Sequence, residues 1–267
     1  MPPDLSPTTA DAPAPTAHET LRPSAAHHAR FGATAAWAVL TTAGFSAAQV
    51  LSHRRTPTAA NFKKWAARWG RSILAPAGVH VTVDDRAHLD PSRPYVFVAN
   101  HQTGLDIFVL AAGLPYPFGF LAKAELASVP FLGVALRNSA SIFVDKRDAR
   151  RAVQSVAAAA GRIRAGMSVL VYAEGKRSYS GGLLPLQRGA FLLAVEAGVP
   201  VVPVAVHGAY RLLDERRGLL RAGTVGVVVH EPLPTAGLTR ADLPGLMARA
   251  EAVLRGSLAA YEAAHPA

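Results

Sequence analysis

Short apolar runs rich in β-branched residues alternate with longer helical stretches from residue 79 to the end of the chain. This order is typical of a layered α/β domain, because each helix carries the chain back to start another strand of the same sheet. Runs that are apolar throughout predict strands buried on both faces. We therefore expect one α/β domain over residues 77–267, with a mostly parallel or mixed central sheet of about seven strands flanked by helices. The predicted strands are 79–83, 94–99, 117–122, 140–144, 168–172, 200–206 and 224–229, and the predicted helices include 148–166, 188–198 and 239–263.

Residues 1–76 lack this alternation. Residues 1–30 are rich in Pro, Ala, Thr and His and have no apolar period, which predicts a flexible tail. Residues 31–50 carry no charge and are flanked by Arg30 and by the basic segment 53–55. About 20 such residues can span the hydrocarbon core of a bilayer. Because they are mostly Ala, Thr and Gly, a membrane-inserted or re-entrant helix, a helix on the membrane surface and a plain soluble helix all remain open.

The next segment, 61–74, alternates basic residues with Trp, Phe, Ile and Leu in the sequence NFKKWAARWGRSIL. This pattern favours an amphipathic helix at a membrane interface, although many basic helices are simply solvated. We therefore assign residues 31–76 to N-terminal hydrophobic and amphipathic helices that associate with a membrane.

The chain is strongly basic, with 28 Lys and Arg against 18 Asp and Glu and a net charge of +10. Such a surface attracts nucleic acid, anionic lipid headgroups or phosphorylated substrates. Aromatic residues make up only 7% of the chain and mostly lie inside the apolar runs, whereas RNA-binding surfaces interleave them with basic residues. We therefore expect no nucleic-acid partner. Cysteine is absent, which excludes a disulfide framework, thiol catalysis and thiolate metal sites.

A histidine and a carboxylate stand five residues apart in the segment 100–106, NHQTGLD, directly after the apolar run 95–99. Thr103 with Asp106 three residues later predicts a capping box at a helix N-terminus, which explains the aspartate but not His101. A metal site is weakly supported, because one His and one Asp supply only two ligands and no second cluster has ligand spacing. The third interpretation is a catalytic base with an orienting carboxylate.

Two further charged loops follow apolar strands in the same way. Each loop taken alone predicts a surface turn or a solvated helix N-terminus. Ligands of open α/β sheets bind where the carboxyl ends of strands meet, so the three loops converge on one rim. That rim would combine a base, its carboxylate and several cations, which suits an anionic substrate. The second loop contains Glu174, Gly175, Lys176 and Arg177, and the third contains Asp145, Lys146, Arg147 and Asp148.

These segments resemble the glycerolipid acyltransferases typified by 1-acylglycerol-3-phosphate (lysophosphatidic acid) acyltransferase. The resemblance covers roughly residues 79 to 232. It depends on the order and spacing of several blocks together. The blocks are NHQTGLD at 100–106, AKAELASVPFLG at 122–133, SIFVDKRD at 141–148, EGKRS at 174–178, LLPLQRGAF at 183–191 and GVPVVPVAVHG at 198–208.

The resemblance implies an O-acyltransferase in which His101 is the general base and Asp106 orients the imidazole. The acceptor hydroxyl would attack an acyl thioester directly, without a covalent enzyme intermediate. Acyl-CoA or acyl carrier protein would be the co-substrate, with no cofactor and no metal. The resemblance also implies that the acceptor phosphate and neighbouring groups are bound by Glu174, Gly175, Lys176, Arg177, Arg188 and Lys146 or Arg147.

Three residues depart from the family pattern. Ala173 stands where the family has Pro, Lys176 stands for the Thr of its EGTR block, and Lys146 stands for Arg, with Arg147 one residue later. Lysine is a point charge and lacks the bidentate fork of arginine, so these changes affect phosphate geometry more than the chemical pair.

The resemblance therefore implies acylation of a lysophospholipid, 1-acylglycerol-3-phosphate being the expected acceptor and phosphatidic acid the product. The alternatives are acylation of lysophosphatidylcholine, lysophosphatidylethanolamine or a lyso-ornithine lipid, a non-catalytic lipid-binding protein and, with least support, a metal-dependent phosphoesterase. The expected location is a membrane, with the site facing the cytoplasm, at the inner membrane in a bacterium.

Overall fold

The computed structural model describes Thr16 and residues 21–139, 141–144 and 149–266 of the chain, without the side chains of 149–155 and 157. The predicted flexible tail lies mostly outside these residues. The predicted loop 145–148, with Lys146 and Arg147, lies wholly outside them.

The seven predicted strands form one mixed sheet, which confirms the fold class. The strands are β1 Val79–Asp85, β2 Val96–Ala99, β3 Gly119–Lys123, β4 Ile142–Val144, β5 Val169–Tyr172, β6 Val201–His207 and β9 Gly223–Val229. Five neighbouring strands run parallel, in the order β6, β2, β5, β3, β4. The two remaining strands, β1 and β9, are parallel to each other, and β9 pairs with β6 in the antiparallel direction. A hairpin of β7 Leu213–Asp214 and β8 Leu219–Leu220 lies apart from the sheet and was not predicted.

Helices cover both faces of this sheet, so the central strands alternate between two hydrophobic cores. Phe97 of β2 lies in one core and Val98 lies in the other. The helices are α1 Ala25–Arg55, α2 Ala59–Leu74, α3 Leu105–Gly113, α4 Leu132–Arg137, α5 Ala149–Arg164, α6 Arg188–Ala197 and α7 Leu243–Ala264. Helix α3 packs in the first core, and α5, α6 and α7 pack in the second.

The N-terminal helices form a hairpin whose second arm packs on α3. Gly70 of α2 lies so close to α3 that a Cβ there would approach the Phe108 carbonyl oxygen to 2.5 Å. Lys63 of α2 donates to the Ala111 carbonyl oxygen at 2.7 Å, near the α3 C-terminus. The predicted amphipathic helix 61–74 is therefore real, but its apolar face is used mainly for packing against the protein.

The first helix begins earlier than the sequence predicts. It starts at Ala25, inside the segment assigned to the flexible tail, because the Ser24 hydroxyl caps it by accepting from the His27 N–H. Among the described residues, α1 is the one helix long and apolar enough to cross a membrane. Large apolar side chains on it are exposed, including Trp37, Val39, Leu40 and Leu51.

Candidate active site

The carboxylate of Asp106 organises the loop between β2 and α3. Asp106 is fully buried, and its Oδ2 accepts from the Gln102 N–H at 2.6 Å and the Thr103 N–H at 2.9 Å. The same oxygen lies 2.7 Å from His101 Nδ1. Three contacts therefore converge on one buried oxygen and fix the Asp106 carboxylate against the imidazole.

This contact decides how the histidine can act. A carboxylate accepts hydrogen bonds, so Nδ1 carries the proton in the neutral ring and Nε2 keeps a free lone pair. The His101 side chain is 11% exposed, which leaves only an edge of the ring accessible. The pair therefore has the arrangement of a general base and its orienting carboxylate.

The predicted helix cap is present in a modified form. The helix begins at Leu105, so Gly104 occupies the N-cap position, one residue later than the prediction. Thr103 still contributes, since its Oγ1 accepts from the Leu105 N–H at 3.2 Å. Asp106 both binds the loop N–H groups and contacts His101, so one side chain serves helix initiation and the imidazole together.

Asn100 and Gln102 fasten the same loop to β6 and the segment after it. The Asn100 amide donates to the Val206 carbonyl oxygen at 2.9 Å and accepts from the Val206 N–H at 2.7 Å. Gln102 Oε1 accepts from the N–H of Ala209 at 3.0 Å. All these groups are buried, so the backbone on both sides of His101 is fixed.

The loop after β5 meets the loop after β2, as predicted from the strand ends. The Ser178 N–H donates to the His101 carbonyl oxygen at 2.8 Å, and the Tyr179 N–H donates to the Gln102 carbonyl oxygen at 3.1 Å. Gly175 has a φ of +71°, which gives this loop the left-handed turn that glycine adopts most easily.

Glu174 has a different position from the substrate-binding one that the resemblance implies. Its carboxylate is 3% exposed and accepts from the His101 N–H at 2.5 Å and from the Leu184 N–H at 2.8 Å. Burial raises the pKa of this carboxyl to about 7, although the two N–H groups act to lower it. Both oxygens are engaged by backbone, so Glu174 joins the two loops and positions His101.

The two cations of the loop after β5, Lys176 and Arg177, are accessible to solvent. Lys176 is exposed, and Arg177 is partly exposed and donates from Nη1 to Glu215 Oε1 at 3.0 Å. Arg188 is placed elsewhere: it is exposed at the start of α6 and donates to the Arg240 carbonyl oxygen at 3.1 Å. Arg177 therefore lies in the loop that meets the His101 loop, whereas the described hydrogen bond of Arg188 is with Arg240. No cluster of three or more His, Asp or Glu that could hold a metal occurs in the part of the chain that the structure describes.

Comparisons with known proteins show what this chain is similar to. A sequence model described as Acyltransferase matches residues 80–207, the segment that contains the His101 and Glu174 loops. The human 1-acyl-sn-glycerol-3-phosphate acyltransferase beta is 36% identical over 178 residues, which cover 66% of this chain and 64% of that protein. Over residues 80–207 the chain is thus similar to the acyltransferase family.

A second curated relative and a solved structure carry related names. The human 1-acyl-sn-glycerol-3-phosphate acyltransferase alpha is 35% identical over 173 residues, covering 64% of this chain and 61% of its own length. The chain thus matches less than two thirds of the length of these curated relatives. The crystal structure of the 1-acyl-sn-glycerophosphate (LPA) acyltransferase from Thermotoga maritima superposes with a TM-score of 0.73 at 25% identity, covering 89% of this chain and 95% of that one.

Two residues of this candidate site were missed by the sequence reasoning. The Tyr172 ring stacks on the His101 ring, with centroids 3.9 Å apart and an interplanar angle of 16°. Tyr172 ends β5, next to β2, so the paired strands bring the two rings together. Glu215 lies in the hairpin that follows β6, far from Arg177 in the sequence, and no motif marks it. The signal for Tyr172 would have been the register of β5 against β2, which the sequence does not give.

Proposed function

We propose that this protein is a membrane-associated O-acyltransferase that acylates the free hydroxyl of a lysophospholipid. The proposed acceptor is 1-acylglycerol-3-phosphate, which gives phosphatidic acid, and the proposed donor is acyl-CoA or acyl carrier protein. The observation that carries the proposal is the 2.7 Å contact between His101 Nδ1 and Asp106 Oδ2, at a rim that also holds Arg177. The names of the relatives support the acceptor.

In the proposed reaction, His101 Nε2 takes the proton of the acceptor hydroxyl while the oxygen attacks the thioester carbonyl carbon. Asp106 holds the ring in the required tautomer and stabilises the imidazolium that forms. The tetrahedral intermediate collapses with cleavage of the carbon–sulfur bond. The imidazolium then returns its proton to the leaving thiolate, so the products are the acylated lipid and a free thiol. No enzyme nucleophile takes part.

Lys176 and Arg177 are proposed to bind the acceptor phosphate. Arginine suits this role because its guanidinium can donate to two phosphate oxygens at once, whereas Lys176 acts as a point charge. Lys146 and Arg147, outside the described residues, are proposed to contribute further positive charge. Glu174 and Gly175 shape the loop that presents these cations, and the contacts of Arg188 support no part for it at the phosphate.

The N-terminal helices are proposed to hold the site at a lipid surface that faces the cytoplasm. The exposed apolar side chains of α1 support this location, because a long exposed apolar surface is unfavourable in water. The hairpin packs on α3 through Gly70, and α3 carries Asp106. Contact with the membrane would therefore place the site close to its lipid substrate.

The test is acyl transfer by membranes that contain either the wild-type protein or His101→Ala. Transfer of a radiolabelled acyl group to a panel of lysolipids should fall by about 10²- to 10⁴-fold in the variant, the range of a lost general base. His80→Ala is the matched control, because His80 is exposed on the edge strand β1. Acyl-CoA and acyl carrier protein are compared as donors in the same assay. Normal transfer in His101→Ala would contradict the mechanism, and lipid binding without product in the wild type would favour a non-catalytic lipid-binding protein.

A further inference from the structure

Arg177 is already paired with a carboxylate inside the protein. Its Nη1 lies 3.0 Å from Oε1 of Glu215, and the two side chains are 35% and 22% exposed. No other carboxylate is bonded to Arg177 among the described residues. The cation assigned to the acceptor phosphate is therefore largely neutralised before any acceptor binds.

This pair lies directly over the catalytic loop. A Cβ built on Gly104 would lie 3.0 Å from Glu215 Oε2 and 3.7 Å from Arg177 Nη2. Gly104 is three residues after His101 and precedes the first turn of α3. An anion that binds Arg177 on this side must consequently come close to the Glu215 carboxylate.

The hairpin that carries Glu215 is anchored on both sides. Asp214 accepts from Arg217 Nε at 2.6 Å, and Arg217 also donates to the Leu21 carbonyl oxygen. The Arg216 guanidinium lies 4.1 Å from the ring centroid of Tyr179, in the loop after β5. Since the flanking residues are held, Glu215 is kept beside Arg177 rather than left free to move away.

Two like charges near one guanidinium repel each other, and the repulsion grows with the charge of the ligand. A phosphate monoester carries roughly 1.5 to 2 negative charges at pH 7, whereas a phosphodiester carries one. Glu215 therefore opposes a monoester headgroup more strongly than a diester headgroup.

We propose that Glu215 is a specificity-determining residue that lowers the preference of the acceptor site for phosphate monoesters over phosphodiesters. This inference rests on the proposed function, because it concerns the acceptor of that reaction. It assigns the charge preference to the balance between Arg177 and Glu215, not to the catalytic pair.

The experiment compares lysophosphatidic acid with lysophosphatidylglycerol of the same acyl chain, in mixed micelles at pH 7.5. The ratio of the two kcat/KM values should rise by about three- to fivefold in Glu215→Gln, mainly through KM, the size expected for one partly exposed charge. Glu231→Gln is the matched control, because Glu231 is an exposed carboxylate beyond β9, and its ratio should not change.

A second variant tests whether Glu215 acts through Arg177. In an Arg177→Met background, adding Glu215→Gln should change the ratio by less than about twofold, because coupled residues lose their effect when the partner is removed. An unchanged ratio in Glu215→Gln alone, or an equal rise with and without Arg177, overturns the proposal.

Failure of the proposed function can be distinguished from failure of the inference about Glu215. If the wild type acylates neither lipid, the proposed function fails, and the inference is then decided by calorimetric binding of glycerol 3-phosphate. That ligand should bind about fivefold more tightly to Glu215→Gln than to the wild type. Equal affinities contradict the inference whether or not the protein is active.

Discussion

His101–Asp106 and Arg177–Glu215 are two side-chain pairs at the same rim, and their surroundings differ sharply. Asp106 is completely buried, and one of its oxygens contacts the imidazole and two backbone N–H groups. Glu215 is 22% exposed and makes a single described contact, at 3.0 Å, with an arginine that is 35% exposed. The first pair belongs to the backbone framework of the fold, and the second lies on its surface.

In the proposed reaction, this difference separates the chemical step from recognition of the acceptor. A buried carboxylate is tolerated only when hydrogen bonds compensate for the water that it loses, so Asp106 cannot be exchanged freely. A partly exposed pair contributes about 1 kcal/mol or less to stability, so it can change without unfolding the protein. Under the proposed function, the acceptor headgroup can therefore vary while the proposed general base stays the same.

Asp106→Asn is the most severe way to break the buried pair. The amide can donate to His101 Nδ1, which would favour the wrong tautomer, and it no longer supplies a charge for two N–H groups. We expect kcat to fall by about 10³- to 10⁴-fold, with a small change in KM. Steady-state kinetics with a saturating acyl donor measure this, and Glu231→Gln serves as a control. A variant with normal kcat would show that the carboxylate has only a capping role.

Glu174→Gln breaks the link between the buried pair and the loop after β5. The amide has one acceptor oxygen, and its NH2 group only donates, so it can accept from only one of the His101 and Leu184 N–H groups. Loss of hydrogen bonds to a buried charged group costs about 1.5–3 kcal/mol, so kcat/KM should fall by roughly 10- to 100-fold. A change confined to KM for the acceptor would instead indicate a direct substrate contact.

The same residue gives the protein a specific dependence of stability on pH. The pKa of Glu174 is raised from 4.5 to about 7 by burial, so the folded protein binds a proton that the unfolded chain has lost between these values. Its contribution to the free energy of unfolding is therefore largest below pH 4.5 and declines as the pH rises towards 7. Chemical denaturation at pH 5 and pH 8 should show a larger decrease for the wild type than for Glu174→Gln. Equal decreases would contradict the raised pKa.

Much of this architecture follows from local sequence. The seven strands were predictable because buried runs such as 201–206 are apolar throughout, and the strand-end rule placed the loops of His101 and Arg177 together. The direction of β9 was not predictable in the same way. An apolar strand has no residue pattern that distinguishes a parallel from an antiparallel neighbour.

The finer parts of the site depend on contacts between distant segments. The sequence indicates that Glu174 is polar and follows a strand, but not that both of its oxygens face backbone N–H groups. Glu215 reaches Arg177 only because a hairpin after β6 folds back over the rim. The assignment of Arg188 to the substrate comes from a resemblance to a block of sequence and stays a prediction, and its described hydrogen bond is to the Arg240 carbonyl in another part of the chain.

Tyr172 offers the mildest test of how rigidly the imidazole is held. Burial raises the pKa of Tyr172 well above its usual range, and its hydroxyl has no hydrogen-bond partner among the described residues. We therefore expect Tyr172 to act on His101 through the stacking of its ring. Tyr172→Phe should keep kcat within about twofold, while Tyr172→Leu should lower it by about 2- to 10-fold, as expected for a lost ring contact of 0.5–1.5 kcal/mol. The histidine ring signals in an NMR spectrum would broaden in the Leu variant if stacking limits its motion. Equal kinetics in the two variants would show that Asp106 alone orients His101, which would make the buried pair more independent of its neighbours than the stacking indicates.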